Sequence, residues 1–328
     1  MRRRQLLMSG LAATLALPTI HKKAWAQNTF PSRPLTVIVP WPAGAGTDVT
    51  TRAVAETLSR ELGQPVAVEN RAGANGAIGL AHAARVAPDG YTLATATADT
   101  HSISPHLRAD LPYDAVDGFI PLAVYATTHW AWMARPDFPA NNIKELIALA
   151  KQKPGQITYA SWGIGSTAHI AGALLERATS IELSHVPFPG AAPATTALQG
   201  GHVDLLPISR KPAENLRKAG KVKIIATSAP ARSTTVLPDV ATVGEQGYPD
   251  AQAGSWYGIS VRSGIPEDAR ARLQEALIKV LGSPEIAARI NAAGMDPVRL
   301  HGEELKKFMR SEYERYGNVI REKGIKAS

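Results

Sequence analysis

Two glycine-rich loops offer the clearest chemistry in this sequence. Gly44 to Asp48 and Gly163 to Thr167 each follow a predicted strand and open a predicted helix. The first N–H groups of a helix have no partner within it, so such loops can bind small anions. The hydroxyls of Thr47, Ser166 and Thr167 can add further hydrogen-bond donors. Either loop alone could be a tight turn with a helix cap, but two of them in one chain predict the facing walls of a cleft.

Other motifs in and around these loops have weaker support. His169 could contact a ligand or be an ordinary helix histidine. The pattern Gly163-x-Gly165-x-x-Ala168 fits a relaxed dinucleotide fingerprint, but the nearest acidic residue, Glu182, begins the next strand and is poorly placed for a ribose. The sequence contains no Gly-x-Ser-x-Gly and no His-Glu-x-x-His. We therefore expect no cofactor, no metal and no catalytic residues.

The composition is that of a folded and nearly neutral chain. Of 328 residues, 45% are hydrophobic, and there are 36 Lys and Arg against 28 Asp and Glu. Five of the basic residues and none of the acidic ones lie in residues 1–26, so the remainder is almost balanced in charge. This balance argues against nucleic-acid binding. The absence of cysteine excludes disulfides and thiol nucleophiles.

Residues 1–26 have the pattern of an export signal. A basic start, Met1 to Gln5, precedes an apolar run, Leu6 to Ile20, and small residues stand at Ala24 and Ala26. The apolar run is shorter than the ~20 residues that span a bilayer, which favours a cleaved signal over an anchor. The three arginines resemble a twin-arginine signal, with the general secretory route as the alternative. We expect a periplasmic protein that begins at Gln27.

The rest of the chain alternates strands with helices, which predicts an α/β fold with parallel sheets. Leu35 to Val39 is an apolar run that suits a strand buried on both faces. The predicted strands cover residues 35–39, 65–69, 91–95, 156–159, 182–186, 203–206, 222–226 and 257–261. The predicted helices are one that ends at Gly63 and those over 143–151, 166–177, 193–199, 266–281, 284–293 and 302–321.

Short motifs along the chain resemble one protein family. They are Pro31 to Leu35, Val39 to Asp48, Leu62 to Val66, Val68 to Ala74, Ala87 to Leu93, His185 to Phe188, Gly190 to Ala194, Val203 to Leu205 and Leu237 to Val243. Together they are similar to the Bug receptors, the extracytoplasmic solute-binding proteins of tripartite tricarboxylate transporters. The resemblance extends over nearly all of the chain from Gln27.

The resemblance implies a two-lobed periplasmic binding protein fold, type II-like, that closes on one organic anion. Each lobe would be a mostly parallel sheet flanked by helices. Lobe 1 would comprise residues 27–124 and 228–328, and lobe 2 residues 125–227, with hinge crossings at Leu122–Tyr125 and Ile225–Ser228. The family also implies an inner-membrane tripartite permease as the partner, and we expect a monomer.

In this family, backbone N–H groups and ordered water from two loops hold the ligand's carboxylate, with little help from basic side chains. Matched by motif, these loops are 41–48 and 161–169, and a third loop at 97–102 reaches the cleft. The ligand-binding residues expected here are Trp41, Gly44, Ala45, Gly46, Thr47, Asp48, Asp99, Ser161, Gly165, Ser166, Thr167, His169, Phe188, Asp204 and Arg210.

Arg210 departs from the family pattern and bears on the ligand. It follows a predicted strand, on the side where parallel sheets bind ligands, so its guanidinium could pair with a second carboxylate. Trp41 and Phe188 could flank an apolar middle. This combination favours a dicarboxylate, including an aromatic one. Alternatively, Ser209 to Lys211 is a solvated helix start.

The sequence therefore predicts a receptor that binds a small carboxylate and delivers it to a membrane permease. The competing hypothesis is an exported hydrolase or transferase that acts on a small carboxylate. We expect no nucleophile–base pair in the loops, and this expectation favours the receptor.

Mass spectrometry of the protein recovered from the periplasm should find Gln27 at the N-terminus, because small residues at Ala24 and Ala26 suit a signal peptidase. Ala26→Phe places a large side chain at the cleavage position and should leave the precursor uncleaved. Equal processing of both forms would contradict the assigned site.

Overall fold

The computed structural model of the protein describes residues 30–326. The signal predicted over residues 1–26, and Gln27, lie outside this range. The strands within it are β1 (Leu35–Val39), β2 (Val66–Asn70), β3 (Thr92–Thr97), β4 (Phe119–Ala134), β5 (Thr158–Ser161), β6 (Ser184–Pro187), β7 (Leu205–Ser209), β8 (Lys223–Thr227), β9 (Gly254–Arg262) and β10 (Asp296–Leu300).

Helices pack against both faces of the sheets. They are α1 (Gly46–Leu62), α2 (Ala77–Ala83), α3 (Ser104–Leu107), α4 (Ile143–Gln152), α5 (Thr167–Thr179), α6 (Ala191–Gln199), α7 (Arg210–Lys218), α8 (Glu267–Leu281), α9 (Pro284–Ala292) and α10 (Gly302–Glu322). Short helical turns cover Ala74–Gly76, Asp99–Ile103 and Pro249–Ala251. No helix in residues 30–326 is both long and apolar enough to cross a bilayer.

The strands form two sheets that share β4. The hydrogen-bonded order is β2-β1-β3-β9-β4-β7-β5-β6, and β8 and β10 also pair with β4. The first sheet consists of β1, β2, β3, β9, β10 and the beginning of β4, and the second consists of β5 to β8 and the end of β4. Strands β1 to β3 are mutually parallel, as are β5 to β7, whereas β4 and β9 run antiparallel to their neighbours. The predicted α/β fold is confirmed, but its sheets are mixed, because β9 and β10 run against the parallel strands of the first sheet and β4 runs against those of the second.

Strand β4 carries the chain from the first sheet into the second. Up to His129 it pairs with β9, and from Trp130 onward it pairs with β7 and β8. The chain returns after β8, where the Ser228 N–H donates to the Trp130 carbonyl oxygen at 2.7 Å. The expected crossing at Leu122–Tyr125 lies within β4, where the pairing with β9 has two register shifts, and β4 changes its partners from β9 to β7 after His129. The lobe boundaries given above stay a prediction.

Strand β1 is buried on both faces, as its apolar run indicates. Val37 packs in the cluster that contains Leu58 of α1 and Leu277 of α8. Its neighbour Ile38, which points to the opposite face, packs in the cluster that contains Leu80 of α2. The loop that leaves the carboxyl end of β1 is therefore held by a strand packed from both sides.

Trp132 anchors the second sheet to the return crossing. Its side chain is fully buried, and its ring lies edge-on to that of Tyr159 with the ring centroids 6.5 Å apart. The indole N–H donates to the Ser228 hydroxyl at 3.1 Å, which satisfies a buried donor. This contact fixes the position of β4 relative to the segment that leads back to β9.

An ion pair connects helix α7 of the second sheet to strand β10 of the first. Arg210 at the start of α7 is 3% exposed, and one guanidinium nitrogen donates to both carboxylate oxygens of Asp296 on β10, at 2.7 and 2.6 Å. His129 Nδ1 lies 3.2 Å from the same carboxylate. Burial acts to raise the pKa of Asp296, but the bonds from His129 and Arg210 outweigh it and the pKa is lowered.

Asp296→Ala should lower the free energy of unfolding by about 3 kcal/mol, because it leaves the buried Arg210 charge without a partner. The value is at the low end for such a loss because the Asp296 side chain is 41% exposed. Urea unfolding measures the change. The stabilisation is present above the ordinary pKa of 3.8 and should be lost as the pH falls through the lowered folded-state value.

Glu314→Ala is the matched control, because Glu314 pairs with Arg310 on the surface, where the side chains are 60% and 82% exposed. It should cost about 0.3–0.5 kcal/mol. Equal losses for the two substitutions would contradict the role given to the Arg210–Asp296 pair.

Candidate functional site

A cleft of about 670 Å³ lies between the two sheets. Loops at the carboxyl ends of parallel strands form most of its wall, which is where α/β sheets bind ligands. The first sheet contributes residues of the loops 41–47 and 72–75, together with Asp99, Ser255 and Tyr257. The second sheet contributes Trp130, Trp162, Thr167, the segment 189–193 and the end of β7. The volume suits a small organic molecule.

The start of helix α1 is open toward the cleft. Its N-cap, Ala45, has no side chain that could accept a hydrogen bond, and the first N–H bonded back to the cap is that of Val49, at 3.0 Å. The N–H groups of Gly46, Thr47 and Asp48 have no acceptor within residues 30–326. Ala45 and Thr47 line the cleft. These unpaired donors, with the positive end of the helix dipole, form a place for an anion.

Asp48 supports this loop from behind and does not line the cleft. Its carboxylate is 3% exposed and accepts hydrogen bonds from the Gly44 N–H at 2.9 Å, Asn70 Nδ2 at 2.9 Å and Arg52 Nε at 3.0 Å. Burial acts to raise the pKa of Asp48, but these bonds outweigh it and the pKa is lowered. Gly44 and Gly46 are also absent from the lining, so Asp48 and the glycines shape the loop around Ala45 and Thr47.

The start of helix α5 is occupied by the protein's own groups. The Thr167 N–H donates to Asp99 Oδ1 at 3.0 Å, and the Thr167 hydroxyl lies 3.5 Å from Asp99 Oδ2. The Gly165 N–H donates to His169 Nδ1 at 3.0 Å, and the His169 N–H donates to the Ser166 hydroxyl at 3.3 Å. Of these loop residues Thr167 lines the cleft, whereas Gly165, Ser166 and His169 do not. The two loops of similar sequence therefore differ in the donors that they offer a ligand.

Asp99 links the loops of the two sheets. It follows β3, is 4% exposed, and reaches across the cleft to the first N–H of α5. Burial raises the pKa of Asp99 to about 6, although the bonds from Thr167 act to lower it. Asn75 makes a second link from the first sheet, since its Nδ2 donates to the Gly165 carbonyl oxygen at 3.4 Å.

A serine–histidine pair lies beneath the second loop, against our expectation of none. Ser161 Oγ and His185 Nε2 are 2.6 Å apart, and the ring of His185 stacks on that of His169 with the centroids 3.8 Å apart. Ser161 is fully buried, does not line the cleft, and its hydroxyl also bonds to the backbone of Gly163. Burial, followed by the charge of His169, lowers the pKa of His185 to about 3, too low for a base near neutral pH. The pair fixes the loop and offers no nucleophile to the cleft.

Three further predicted residues point away from the cleft. Asp204 precedes β7, at the opposite end of the strand from the cleft, and its carboxylate accepts bonds from Arg135 at 2.9 Å and Thr158. Phe188 packs against the apolar cluster of the second sheet. The residues that follow it, 189–193, line the cleft where Phe188 was expected. Arg210 is held by Asp296. Of the predicted residues, those that line the cleft are Trp41, Ala45, Thr47, Asp99 and Thr167.

The sequence patterns did not indicate several lining residues. Trp130 lines the cleft at the point where β4 changes sheets, and Ser255 and Tyr257 reach it from β9. Three buried donors on lining residues have no hydrogen-bond partner in the part of the chain that the structure describes: Trp41 Nε1, Trp130 Nε1 and Ser255 Oγ. Such atoms lower the stability of the fold unless a ligand or water bonds to them.

No three His, Asp or Glu side chains in the described range could hold a metal ion.

Two α/β sheets that share crossing strands and enclose a ligand-sized cleft are the architecture of a periplasmic solute-binding protein. Residues 50–325 match the family model of the tripartite tricarboxylate transporter family receptor, and the chain belongs to this family. Protein BugT of Bordetella pertussis is 32% identical over 302 residues, which cover 91% of this chain and 92% of BugT.

Solved structures agree with this assignment. The periplasmic binding protein BugD superimposes with a TM-score of 0.78 at 31% identity and covers 91% of this chain and all of its own. MatC of Rhodopseudomonas palustris, solved with bound malate, has a TM-score of 0.75 at 30% identity and covers 89% of this chain and all of its own. The expected resemblance to the Bug receptors is confirmed.

Ser166→Ala should lower the free energy of unfolding by about 1 kcal/mol, because the hydroxyl caps α5. Ser283→Ala is a matched comparison, since Ser283 caps α9 with the same 3.3 Å acceptor distance, to the Ile286 N–H. Urea unfolding of both variants measures the effect, and the buried Ser166 should cost at least as much as Ser283. An unchanged stability for Ser166→Ala would contradict the capping role.

Proposed function

We propose that this receptor binds a small organic carboxylate in the cleft and delivers it to the membrane permease of a tripartite transporter. The observation that carries the proposal is the open start of α1, where the N–H groups of Gly46, Thr47 and Asp48 have no acceptor within residues 30–326 and Ala45 and Thr47 line the cleft. Hydrogen bonds from neutral donors to a charged oxygen contribute about 1.5–3 kcal/mol each, so no basic side chain is required. Malate bound to the relative MatC supports a carboxylate ligand.

The second carboxylate of a dicarboxylate ligand would need a binding site other than Arg210, the residue expected to bind it. Arg210 is engaged by Asp296 outside the cleft, and none of the cleft-lining residues in the described range is basic. A second carboxylate would therefore be bound by neutral donors, for which Trp130 and Ser255 are available. Trp41, Trp130 and Trp162 replace Phe188 as the surfaces that would flank an apolar or aromatic part of the ligand.

The site supports binding rather than catalysis. The Ser161–His185 pair is buried beneath the loop, and the low pKa of His185 leaves it unprotonated and weakly basic.

We propose that the protein works in the periplasm as a monomer without a cofactor, after export by the twin-arginine or the general secretory route.

Mass spectrometry under non-denaturing conditions can show a carboxylate that is retained during purification. A thermal-shift screen with mono-, di- and aromatic carboxylates then tests the class, because a ligand that binds the folded state raises the melting temperature. A screen in which no carboxylate stabilises the protein would contradict the proposed function.

Ser255→Ala should weaken binding of the best carboxylate from that screen by about tenfold or more, because it removes a buried donor that has no partner within residues 30–326. Isothermal titration calorimetry measures the affinity. Ser311→Ala is the control, since Ser311 is exposed on α10 and its hydroxyl donates to the Phe308 carbonyl oxygen. Equal affinities for Ser255→Ala and the unmodified protein would remove Ser255 from the site.

A further inference from the structure

The cleft contains a buried acid that carboxylate binding does not explain. Asp99 is the single charged side chain among the lining residues of the described range. Its Oδ1 accepts the Thr167 N–H at 3.0 Å, and its Oδ2 lies 3.5 Å from the Thr167 hydroxyl. The Asp99 backbone N–H also bonds to the carboxylate, so its hydrogen-bond donors in the described range are all neutral. No Lys, Arg or His within residues 30–326 forms an ion pair with it or lowers its pKa. The buried carboxylate at the cleft therefore has no cationic partner among the described residues.

A ligand that carries only negative charge fits this arrangement badly. Asp99 is 4% exposed, so water screens its charge weakly, and a second anion nearby would be repelled. A cation beside Asp99 would offset the burial of the carboxylate and supply the charged partner that residues 30–326 do not provide. The acid thus favours a ligand with a positive group.

The aromatic side chains of the cleft favour the same kind of group. Trp41, Trp130, Trp162 and Tyr257 all line it, and the rings of Trp130 and Trp162 meet edge to face with the centroids 5.3 Å apart. Burial first, and then the negative charge of Asp99, raises the pKa of Tyr257, which indicates that the phenol lies near this carboxylate. Ring faces attract ammonium groups, and several rings that line the same cleft as one acid suit a quaternary or substituted amine.

We propose that the ligand is a zwitterion, with its carboxylate at the start of α1 and a positively charged nitrogen bound by Asp99 and the surrounding aromatic rings. The chemical class is that of amino acids, betaines and other aminocarboxylates. The inference rests on the proposed function, because it uses the same cleft and the same carboxylate site. It adds the property that selects among carboxylates.

The experiment compares carboxylates that differ in the cationic group. The pairs are glycine betaine with 3,3-dimethylbutyrate, L-aspartate with L-malate, and 4-aminobutyrate with 4-hydroxybutyrate. Calorimetry with the full mature protein, above the Asp99 pKa of about 6, measures the affinity for each member. In at least one pair the cationic member should bind about tenfold tighter or more, as expected for a charge-assisted contact in a buried site.

Asp99→Asn should abolish this preference, because the amide keeps the shape but not the charge. The member without the cationic group should not bind more weakly than before, since a repulsive negative charge is removed. Asp110→Asn is the matched control. Its side chain is 81% exposed beside Arg108, and the preference should be unchanged. A preference that survives in Asp99→Asn would overturn the assignment of the cation to Asp99.

The pH dependence of the unmodified protein provides a second measurement that needs no variant. The titratable side chains around Asp99 are Tyr113, Tyr257 and Tyr316, whose pKa values are raised, and His101 and His169, whose pKa values are lowered to about 4. Asp99 is therefore the group that changes charge near pH 6. The preference for the cationic member should increase as the pH rises through this value. Tighter binding of malate as the pH falls would instead show that a protonated Asp99 donates to a dicarboxylate, and would overturn the proposal.

The two proposals fail in different ways. If carboxylates without a cationic group bind as tightly as their zwitterionic counterparts both above and below pH 6, the zwitterion inference is wrong and the carboxylate receptor stands. If no member of any pair binds and no carboxylate stabilises the protein, the proposed function fails and this inference fails with it.

Discussion

The first turn of a helix leaves N–H groups without partners, and the two cleft loops satisfy them in opposite ways. At α5 the protein supplies the anion itself, since the Asp99 carboxylate accepts the Thr167 N–H from across the cleft. At α1 residues 30–326 supply none, and the N–H groups of Gly46 to Asp48 remain available. The first loop is the proposed ligand site, and the other is part of the contact between the two sheets.

This division depends on the path of β4 between the sheets. Because β4 pairs with β9 up to His129 and with β7 from Trp130, the carboxyl ends of β1, β3 and β5 face a common cleft. The bonds from Asp99 to Thr167 and from Asn75 to Gly165 cross that cleft and are polar. Polar contacts of this kind can exchange with water, which suits lobes that open and close around a solute.

Several residues of catalytic type serve the scaffold. Asp48 satisfies three donors behind the first loop, and Ser161 and His185 bond to each other beneath the second. Buried polar atoms must find partners, so a loop that approaches a ligand closely is built on polar side chains that do not touch it. The Ser161–His185 pair shows how a structural contact can have the distances of a catalytic one. Burial and a low pKa distinguish the two.

The sequence by itself determined the local features: the strand Leu35–Val39, the helices that follow the glycine loops, and the positions of Thr47 and Thr167 at helix starts. These depend on apolar periodicity and on residues within a few positions of each other. The tertiary structure decided which of these groups reach the cleft. Arg210 contacts Asp296, and Trp130 lines the cleft, only because strands that are distant in the sequence pair. Strand β4 was not among the predicted strands, because it passes through two environments without a turn. A side chain's burial and its nearest charge depend on contacts between residues far apart in the sequence. Because of such contacts, Arg210, predicted to bind the ligand, forms a structural ion pair, and Asp99 is the charged side chain that lines the cleft.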